Sequence, residues 1–407
     1  MDASLLIIGA GPAGLLAACA AARQRPGAVI RVVDRLGIPG VKLAASGGGR
    51  GNLSHLATED EFAHAFGRQG RFTLPAFRSL PPERLRNWLA DIGVPTTVEP
   101  DGRIYPANGS AADLRQALVQ ACRHAGVRFT LGHPVHTLRP PEDDTGPWRV
   151  DDWTARAVLL AAGGCAAPAL GSDGSGFRLA AALEFDLIPP VPALTSIRTV
   201  EDWPRSLPGV SLPWARVTLA TSTRRESATA EGALLFTHQG LSGPSILNLS
   251  GRVSRLLHTG RSVRLNLSFR NTPPNWPRLR RSSGALAVLT WLSESIPRAL
   301  ARVLLNLSGL PENTPFARLT RAQEESLHIH LLAAPLAVQS TGDFAASMVT
   351  SGGISLQQVR PDTLESRRHP RLYLAGELLD LDGPTGGWNL HWAFCSGHLA
   401  GRHAITH

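Results

Sequence analysis

The stretch SLLIIGAGPAGLLAACAAAR, residues 4–23, decides the fold. Its first five residues form an apolar run typical of a buried strand, and Leu15–Arg23 has a helical pattern. A second strand is predicted at Val29–Val33, which completes a β-α-β unit. The turn between the first strand and the helix reads Gly-x-Gly-x-x-Gly, so backbone amides can approach a pyrophosphate at the helix N-terminus. The opening therefore predicts an α/β dinucleotide-binding domain.

Asp34 ends the second strand, twenty residues after Gly14. A carboxylate at this place accepts hydrogen bonds from the hydroxyls of an adenosine ribose. A glycine turn that binds nothing is the alternative. The order of strand, turn, helix, strand and acid favours the dinucleotide.

A second glycine-rich segment, VKLAASGGGRGNLSH, spans residues 41–55. Three consecutive glycines stand beside Lys42, Ser46, Arg50 and Asn52, and they expose amides where side chains would block a ligand. Lys42 is the only lysine among 41 basic residues. The segment favours a loop pressed against a large planar ligand that carries negative charge, and a flexible surface loop is the alternative.

The third motif is RLYLAGELLDLDGPTGGWNLHWAFCSGHLAG, residues 371–401. A predicted buried strand, Arg371–Ala375, leads to Glu377, and a glycine pair then opens a helix. Glu377 is placed to bind ribityl hydroxyls, and the amides after Gly386 are placed to face the pyrimidine edge of a flavin ring. Separated sites of this kind indicate one long ligand, and FAD is the predicted cofactor.

Length and composition narrow the class of protein. The 407 residues exceed the roughly 250–300 at which one core stops growing, so more than one packed unit is expected. No apolar run approaches the roughly 20 residues of a membrane span, and the start lacks a basic leader, so a cytoplasmic location without membrane contact is expected. The four cysteines lack metal-ligand spacing, so neither a metal site nor a disulfide scaffold is predicted.

The residue composition and the hydrophobic pattern change twice along the chain. From about Pro189 it becomes Pro-rich and strand-like, and residues 284–332 are Leu- and Ala-rich with a helical pattern. After about Phe344 the glycine-punctuated pattern returns. The middle region is therefore predicted to be an insertion into the cofactor domain. Outside it, helices are predicted at Glu83–Asp91 and Ala111–His124.

The motifs resemble those of the BaiN/RdsA flavoproteins (YhiN-like, "aminoacetone oxidase family"), which are related to the glutathione-reductase class of FAD domains. The resemblance is nearly end to end and includes Gly163-Gly164 and the segment LLFTHQGLSGP at residues 234–244. It implies an α/β fold with a split Rossmann-like FAD-binding domain, residues 1–189 and 344–407. An inserted β-barrel plus small helical domain would occupy residues 190–343.

The residues expected to bind FAD lie in the three glycine-rich motifs, in the connections that follow the parallel strands, and around Gly163. They are Gly9, Gly11, Pro12, Ala13, Gly14, Asp34, Arg35, Lys42, Ser46, Gly47, Gly48, Arg50, Asn52, Val135, Ala162, Gly163, Gly164, Gly376, Glu377, Gly386, Gly387, Asn389 and Leu390.

The resemblance also implies a reaction, the reduction of a carbon–carbon double bond. Uridine in ribosomal RNA, converted to dihydrouridine, is the leading substrate. A small-molecule oxidoreductase acting on an enone or an amine is the alternative, and a non-catalytic RNA-binding or redox-sensing flavoprotein is a second one. NAD(P)H is expected as a transient electron donor, because the single dinucleotide fingerprint leaves no dedicated nicotinamide domain.

Such a reduction needs an acid that protonates one carbon while hydride reaches the other. The candidates are His238, His391 and Cys165, with His238 first; each could instead be a residue of purely structural role. The chain departs from the family at two places. Gly51 stands where relatives usually have Cys, and His391 stands where Gln is common.

Residues 251–281 are rich in arginine and contain no Asp or Glu. Phe269 and Trp276 lie among the arginines as possible stacking groups. The segment could form an electrostatic track for ribosomal RNA, or a solvated surface that reflects a bias toward arginine. Both interpretations stay open at the level of sequence.

Overall fold

The computed structural model describes residues 2–143, 145–220 and 227–406. The chain forms one compact unit from the residues up to Pro190 and from Val349 onward, which we call the cofactor unit, and a second from Val191–Met348, the inserted unit. The predicted fold class, an α/β Rossmann-type domain with an inserted barrel, is confirmed. The limits 1–189, 190–343 and 344–407 stay a prediction.

The elements follow in chain order. Before the inserted unit the strands are β1 Ala3–Ile8, β2 Ile30–Asp34, β3 Ser54–His55, β4 Thr96–Val98, β5 Arg103–Pro106, β6 Arg128–Leu131, β7 Leu138–Arg139, β8 Trp148–Val150, β9 Trp153–Leu160 and β10 Leu187–Ala193. The helices there are α1 Pro12–Gln24, α2 Val41–Ala44, α3 Glu59–Ala65, α4 Leu74–Ser79, α5 Pro82–Asp91, α6 Ala111–His124 and α7 Ser175–Ala182.

The inserted unit and the return of the chain complete the set. The inserted strands are β11 Ile197–Thr199, β12 Ser211–Ala220, β13 Ala228–Thr237, β14 Gly240–Ser242, β15 Arg264–Ser268 and β16 Ala334–Thr341. Its helices are α8 Pro244–His258, α9 Trp276–Ser282, α10 Val288–Ser293, α11 Arg298–Leu307 and α12 Arg321–Leu332. The last elements are β17 Val349–Ile354, β18 Leu372–Leu374 and α13 Trp388–Ala404.

The central sheet of the cofactor unit has the order β6-β2-β1-β9-β8-β7, with β18 also paired to β9. Strands β6, β2, β1, β9 and β18 run parallel, with Leu5 opposite Ile30 on one side and Ala157 on the other. Their side chains form a continuous buried core with the helices. Because these strands end at one edge of the sheet, the loops after β1, β2, β9 and β18 share that edge.

Helices α1 and α13 pack unusually closely, and glycine makes this possible. A Cβ on Gly397 would stand 2.1 Å from the Ala13 oxygen, and one on Gly401 would stand 2.2 Å from the Ala17 oxygen. The four-residue spacing of these glycines puts both on one face of α13. The close contact holds the beginning of α13 beside the beginning of α1, where the dinucleotide turn lies.

Cys19 on α1 and Cys122 on α6 meet in the core with their Sγ atoms 3.2 Å apart, although 103 residues separate them in sequence. Both are free thiols. Burial and the neighbouring thiol raise the pKa of Cys122 well above its ordinary value.

The inserted unit contains a closed barrel of order β11-β14-β13-β12-β15-β16. Its strands alternate buried and exposed side chains, as in Ser211–Ala220, and helices α8 to α12 join the barrel in a separate hydrophobic core. Among the residues that the structure describes, no helix combines the length and the apolar character that crossing a membrane requires.

Candidate cofactor site

The dinucleotide turn lies between β1 and α1, and its three glycines satisfy different steric requirements. Gly9 has φ +109° and packs against the end of β9, where a Cβ would stand 2.4 Å from the Ala161 oxygen. A Cβ on Gly14 would stand 1.9 Å from the Gly9 oxygen. Gly11, in contrast, has an ordinary φ of −76° and no atom within 4 Å of its Cβ position.

Nothing inside the described chain therefore requires glycine at position 11. A ligand that approaches the backbone there does require it, and Pro12 and Ala13 then begin the helix whose positive end faces the same space. This open cradle fits the pyrophosphate of FAD.

Asp34 ties the end of β2 to the turn. Its Oδ2 accepts from the Ala10 amide at 2.6 Å, and its Oδ1 accepts from the Leu36 amide at 2.8 Å. Burial raises the pKa of this carboxyl, and the amide hydrogen bonds oppose that rise. Each carboxylate oxygen keeps further lone-pair capacity, so Asp34 can also accept from ribose hydroxyls. The neighbouring Arg35 binds the Gly171 oxygen and lies 3.7 Å from Asp173.

The glycine-rich segment after α2 turns sharply through left-handed backbone. Gly47, Gly48 and Gly49 have φ of +57°, +66° and +87°, and a Cβ on Gly48 or Gly49 would meet no atom within 4 Å. Ser46 donates to the Leu43 oxygen at 2.7 Å and so fixes the start of the turn. Arg50 points to Glu99, with which it forms an ion pair, and stacks on Tyr105 at 4.3 Å. Arg50 was predicted to contact FAD; in the structure its guanidinium group contacts Glu99 and Tyr105. Its contact with FAD stays a prediction.

The side-chain amide of Asn52 gives the most direct indication of a bound ligand. Its Oδ1 is buried and has no hydrogen-bond donor in the part of the chain described. A Cβ on Gly387 would stand 2.8 Å from this oxygen, so the amide of Asn52 lies against the beginning of α13. Buried acceptors without a donor are rare and costly, which indicates that a bound molecule satisfies this one.

Gly51 lies against the start of α6. It is buried with φ +75°, and a Cβ would come within 3.3 Å of the Ala111 Cα and Cβ and of the Pro106 Cδ. Any other side chain there would be strained by the left-handed backbone and would press on these atoms by a few tenths of an ångström. No thiol from this loop takes part in the chemistry of this chain.

Lys42 and Glu377 form an ion pair of 2.7 Å at the carboxyl edge of the sheet. Lys42 also donates to the Ala166 oxygen at 3.0 Å, and the other carboxylate oxygen of Glu377 accepts from the Thr350 amide at 2.9 Å. Ser172 completes this group, which we call the Lys42 cluster. The predicted ribityl contact of Glu377 has to share its oxygens with these two donors.

The loop after β9 runs into the Lys42 cluster. Ala162 and Gly163 are half-buried, and a Cβ on Gly164 would stand 2.3 Å from Thr350 Oγ1. That hydroxyl oxygen accepts from the amides of Cys165 and Ala166 at 2.8 and 3.0 Å. Thr350, together with Ser172, was missed by sequence analysis; the glycine pair after Ser351 in TSGGI was the available signal.

The beginning of α13 is shaped by glycine and asparagine. Gly386 and Gly387 have φ of +117° and +94°. Asn389 accepts from the Gly383 amide at 2.7 Å and donates to the Gly383 oxygen at 2.8 Å, which closes the preceding loop. Leu390 packs against the core.

Two further residues, Gly376 and Val135, were also predicted to bind the cofactor. Gly376 has φ +76° and donates its amide to Ser396 Oγ at 3.0 Å. Val135 lies between β6 and β7, half-buried against the core.

His391 is a core residue in this structure. Its Nε2 donates to the Leu80 oxygen at 2.9 Å, and its Nδ1 accepts from Ser54 Oγ at 2.5 Å. Burial lowers its pKa to about 4, so the ring is neutral near pH 7. A neutral ring whose N–H is bound to a carbonyl suits a structural role, and the role of His391 as the acid stays a prediction.

The other two candidate acids lie in different units. Cys165 is half-buried; burial, and then the charges of Glu377 and Asp173, raise the pKa of its thiol, so it holds its proton at neutral pH. His238 is exposed in the turn between β13 and β14 of the inserted unit. Both roles stay predictions.

The arginine-rich segment 251–281 forms α8, β15 and α9. Phe269 is only 4% exposed, so its predicted stacking on RNA bases is wrong. Trp276 packs against Trp291 and Phe316. Arg280 pairs with Glu324, whereas Arg264, Arg278 and Arg281 are exposed.

Comparison with known proteins gives consistent matches along the whole chain. The family model HI0933-like protein Rossmann domain matches residues 3–403. A 3-dehydro-bile acid delta(4,6)-reductase of Clostridium scindens is 32% identical over 98% of this chain and 98% of its own. A ribosomal RNA dihydrouridine synthase of Haemophilus influenzae is 26% identical over 97% of this chain and 96% of its own.

Among solved structures, 3-ketosteroid delta1-dehydrogenase from Sterolibacterium denitrificans superposes with a TM-score of 0.54 at 15% identity, covering all of both chains. At this identity the likeness concerns the fold alone. It agrees with the Rossmann-type arrangement described above.

Proposed function

This chain belongs to the HI0933-like family and is an FAD-dependent oxidoreductase, and from that premise we propose that it reduces a carbon–carbon double bond conjugated with a carbonyl group. The observation that carries the proposal is what two relatives have in common. One is named for the reduction of a keto-steroid acid, the other for the formation of dihydrouridine. Both names describe the saturation of a double bond close to a carbonyl.

The residues of the cofactor unit support the binding of FAD. Gly11 leaves room for the pyrophosphate, and the carboxylate oxygens of Asp34 can accept from ribose hydroxyls in addition to the Ala10 amide. Asn52 offers a buried acceptor beside the amides at the beginning of α13. Bound FAD supplies hydride from its N5 position, and NAD(P)H is the electron donor that we propose for its reduction.

The protein then has to deliver a proton. Cys165 holds a proton at Sγ beside the glycine pair of the cofactor unit, and His238 is the corresponding candidate in the inserted unit. We propose that one of them protonates the substrate carbon next to the one that receives hydride.

Uridine in ribosomal RNA remains the first candidate substrate. The exposed Arg264, Arg278 and Arg281 support it, because arginines of this kind bind phosphate. A small-molecule enone is the second candidate, favoured by the 32% identity to the bile-acid reductase and by the internal packing of Phe269 and Trp276.

The test is mass spectrometry of dihydrouridine in ribosomal RNA from cells with and without this gene, combined with reduction of a 3-keto-4-ene steroid by the purified FAD-loaded protein. Loss of a dihydrouridine in the deletion strain supports the RNA substrate. Unchanged RNA with turnover of the steroid supports the small-molecule substrate. If neither reaction occurs, the chain is a flavoprotein that does not reduce such bonds, and the proposal is wrong.

A further inference from the structure

The cofactor unit builds a second, cationic cavity at the far end of α1. The cavity has a volume of about 170 Å³ and is lined by Arg23 from α1, Arg84 and Trp88 from α5, and His398 and Arg402 from α13. Its lining residues on α1 run from Leu16 to Gln24, about 6 to 18 Å along the helix from Pro12, and none of the residues of the dinucleotide turn lines it. It is therefore separate from the predicted pyrophosphate site.

The positive charge of this cavity is not neutralised within the described chain. No Asp or Glu is among its lining residues, and Arg23, Arg84 and Arg402 form no ion pair with a carboxylate in residues 2–143, 145–220 and 227–406. Arg84 uses one nitrogen to donate to the Ser79 oxygen at 3.0 Å, and Arg23 lies over the ring of Trp88 at 6.0 Å. The remaining guanidinium N–H groups are available to an anion.

The pKa of His398 reflects the same positive charge. Its pKa is lowered to about 4, first by burial and then by the positive charges of Arg402, Arg84 and Arg23. Its Nδ1 lies 3.2 Å from Ser79 Oγ, which itself donates to the Ala76 oxygen, so the histidine donates to Ser79 from Nδ1. The ring is neutral, and the exposed Arg23, Arg84 and Arg402 line one cavity without an ion pair to a carboxylate of the described residues.

A larger groove of about 730 Å³ continues from this cavity and shares Arg23 and Trp88 with it. Its other wall is the surface of α6, where Gln116 and Gln120 present side-chain amides. The carboxylates of Asp91 and Asp113 also line this groove, so only the base is assigned to the groove and the phosphate is assigned to the arginine cavity. An indole ring and two amides beside an arginine cluster match the parts of a nucleotide. The base can stack on the aromatic ring, its edge can bind the amides, and the phosphate can bind the guanidinium groups.

We infer that this cavity and groove form a nucleotide-binding site, in which the arginines take the phosphate and Trp88 takes the base. The same phosphate and base chemistry is offered by a free nucleotide and by one nucleotide of an RNA strand. The site does not depend on the identity of the substrate that is reduced at the flavin.

The test is calorimetric titration of the FAD-loaded protein with inorganic phosphate, with uridine 5′-monophosphate and with a short oligouridine RNA. The double variant Arg84→Gln/Arg402→Gln should weaken the binding of all three at least tenfold. The matched control is Arg25→Gln/Arg123→Gln, which removes the same charge from exposed arginines on the neighbouring helix ends that do not line the cavity. This control should change the affinities less than twofold.

Trp88→Leu should weaken uridine monophosphate severalfold more than inorganic phosphate, because only the nucleotide has a base to stack. The flavin content of each variant is measured in parallel, so that loss of FAD is not mistaken for loss of this site. Tighter binding of the monophosphate supports a free nucleotide, and tighter binding of oligouridine supports an RNA strand. The inference is overturned if the protein binds no probe saturably, or if the arginine pair and its control behave alike.

Discussion

The two units of the chain differ in how they use residues with specialised chemistry. In the cofactor unit, Gly11 leaves space that no described atom fills, and the buried Oδ1 of Asn52 accepts no hydrogen bond from the described residues. In the inserted unit, two arginines of the arginine-rich segment have partners within the unit, since Arg270 stacks on Trp291 at 4.8 Å and Arg280 pairs with Glu324. The difference shows that open space and an unsatisfied buried acceptor indicate a bound cofactor, whereas a high arginine content does not identify the substrate.

The proton donor gives the largest expected effect and decides which unit supplies the chemistry. We expect either Cys165→Ser or His238→Gln to lower the rate of substrate reduction about 10²- to 10⁴-fold, the range for loss of a general acid, while the other variant stays within about threefold of wild type. The reduction of FAD by the electron donor should be unchanged in both. Stopped-flow measurement of the two half-reactions checks this, and full activity in both variants would exclude both residues.

His391 provides the second test, because its pKa should affect stability and not catalysis. Its folded pKa of about 4 lies below the ordinary 6.5, so the unfolded chain binds a proton more readily between these values. The histidine therefore contributes stability above about pH 6.5, and this contribution of roughly 3 kcal/mol is lost as the pH falls toward 4.

We expect His391→Gln to show a weaker loss of unfolding free energy between pH 6.5 and 4 than wild type, measured by urea denaturation. Its activity at neutral pH should be retained if the protein still folds. The control is His238→Gln, which makes the same substitution at an exposed position of the inserted unit. Equal pH profiles in wild type and His391→Gln would contradict the buried, neutral state of this ring.

The variant Gly11→Val tests whether the glycine at position 11 is required for FAD binding and not for folding. Valine suits the extended backbone of Gly11, at φ −76° and ψ −175°, and its Cβ would have no atom of the described chain within 4 Å. We expect the apoprotein to keep its unfolding free energy within about 0.5 kcal/mol, and FAD to bind at least tenfold more weakly. Gly14→Ala is the contrasting variant, because its Cβ collides with the Gly9 oxygen and should destabilise the fold. Normal FAD affinity in Gly11→Val would show that the cradle holds nothing.

The smallest expected effect concerns the inserted unit. Arg278 and Arg281 are exposed on α9, so changing both to Gln should weaken RNA binding modestly and lower the slope of log affinity against log salt by up to about two. Filter binding at several salt concentrations measures this slope. An unchanged slope would remove these arginines from the proposed RNA surface.

Sequence was sufficient for the opening of the fold. The strand predicted at Ser4–Ile8 is Ala3–Ile8, and the helix predicted at Ala111–His124 has those bounds, with Ser110 capping it through the Asp113 amide. These features depend on local patterns of apolar residues and on hydrogen bonds over a few residues. The sequence contains such information directly.

Long-range pairing was not available from such patterns. Arg50 was predicted to bind the cofactor from its place in a glycine-rich loop, and that role stays a prediction; its contacts with Glu99 and Tyr105 could not be read from the loop. The role of Thr350 depends on contact with Cys165 and Glu377 across 185 and 27 residues. The arginine cavity likewise joins residues from the ends of three helices, which no local motif brings together.

The most direct test of the central claim is an anaerobic single-turnover experiment with the FAD-loaded protein. The flavin is first reduced, and the protein is then mixed with a uridine-containing ribosomal RNA fragment or with a 3-keto-4-ene steroid while the flavin spectrum is followed. The account predicts that one of these substrates reoxidises the flavin and gains two hydrogen atoms in stoichiometric amount. A flavin that stays reduced with both substrates, or a purified protein that cannot be loaded with FAD, would contradict it.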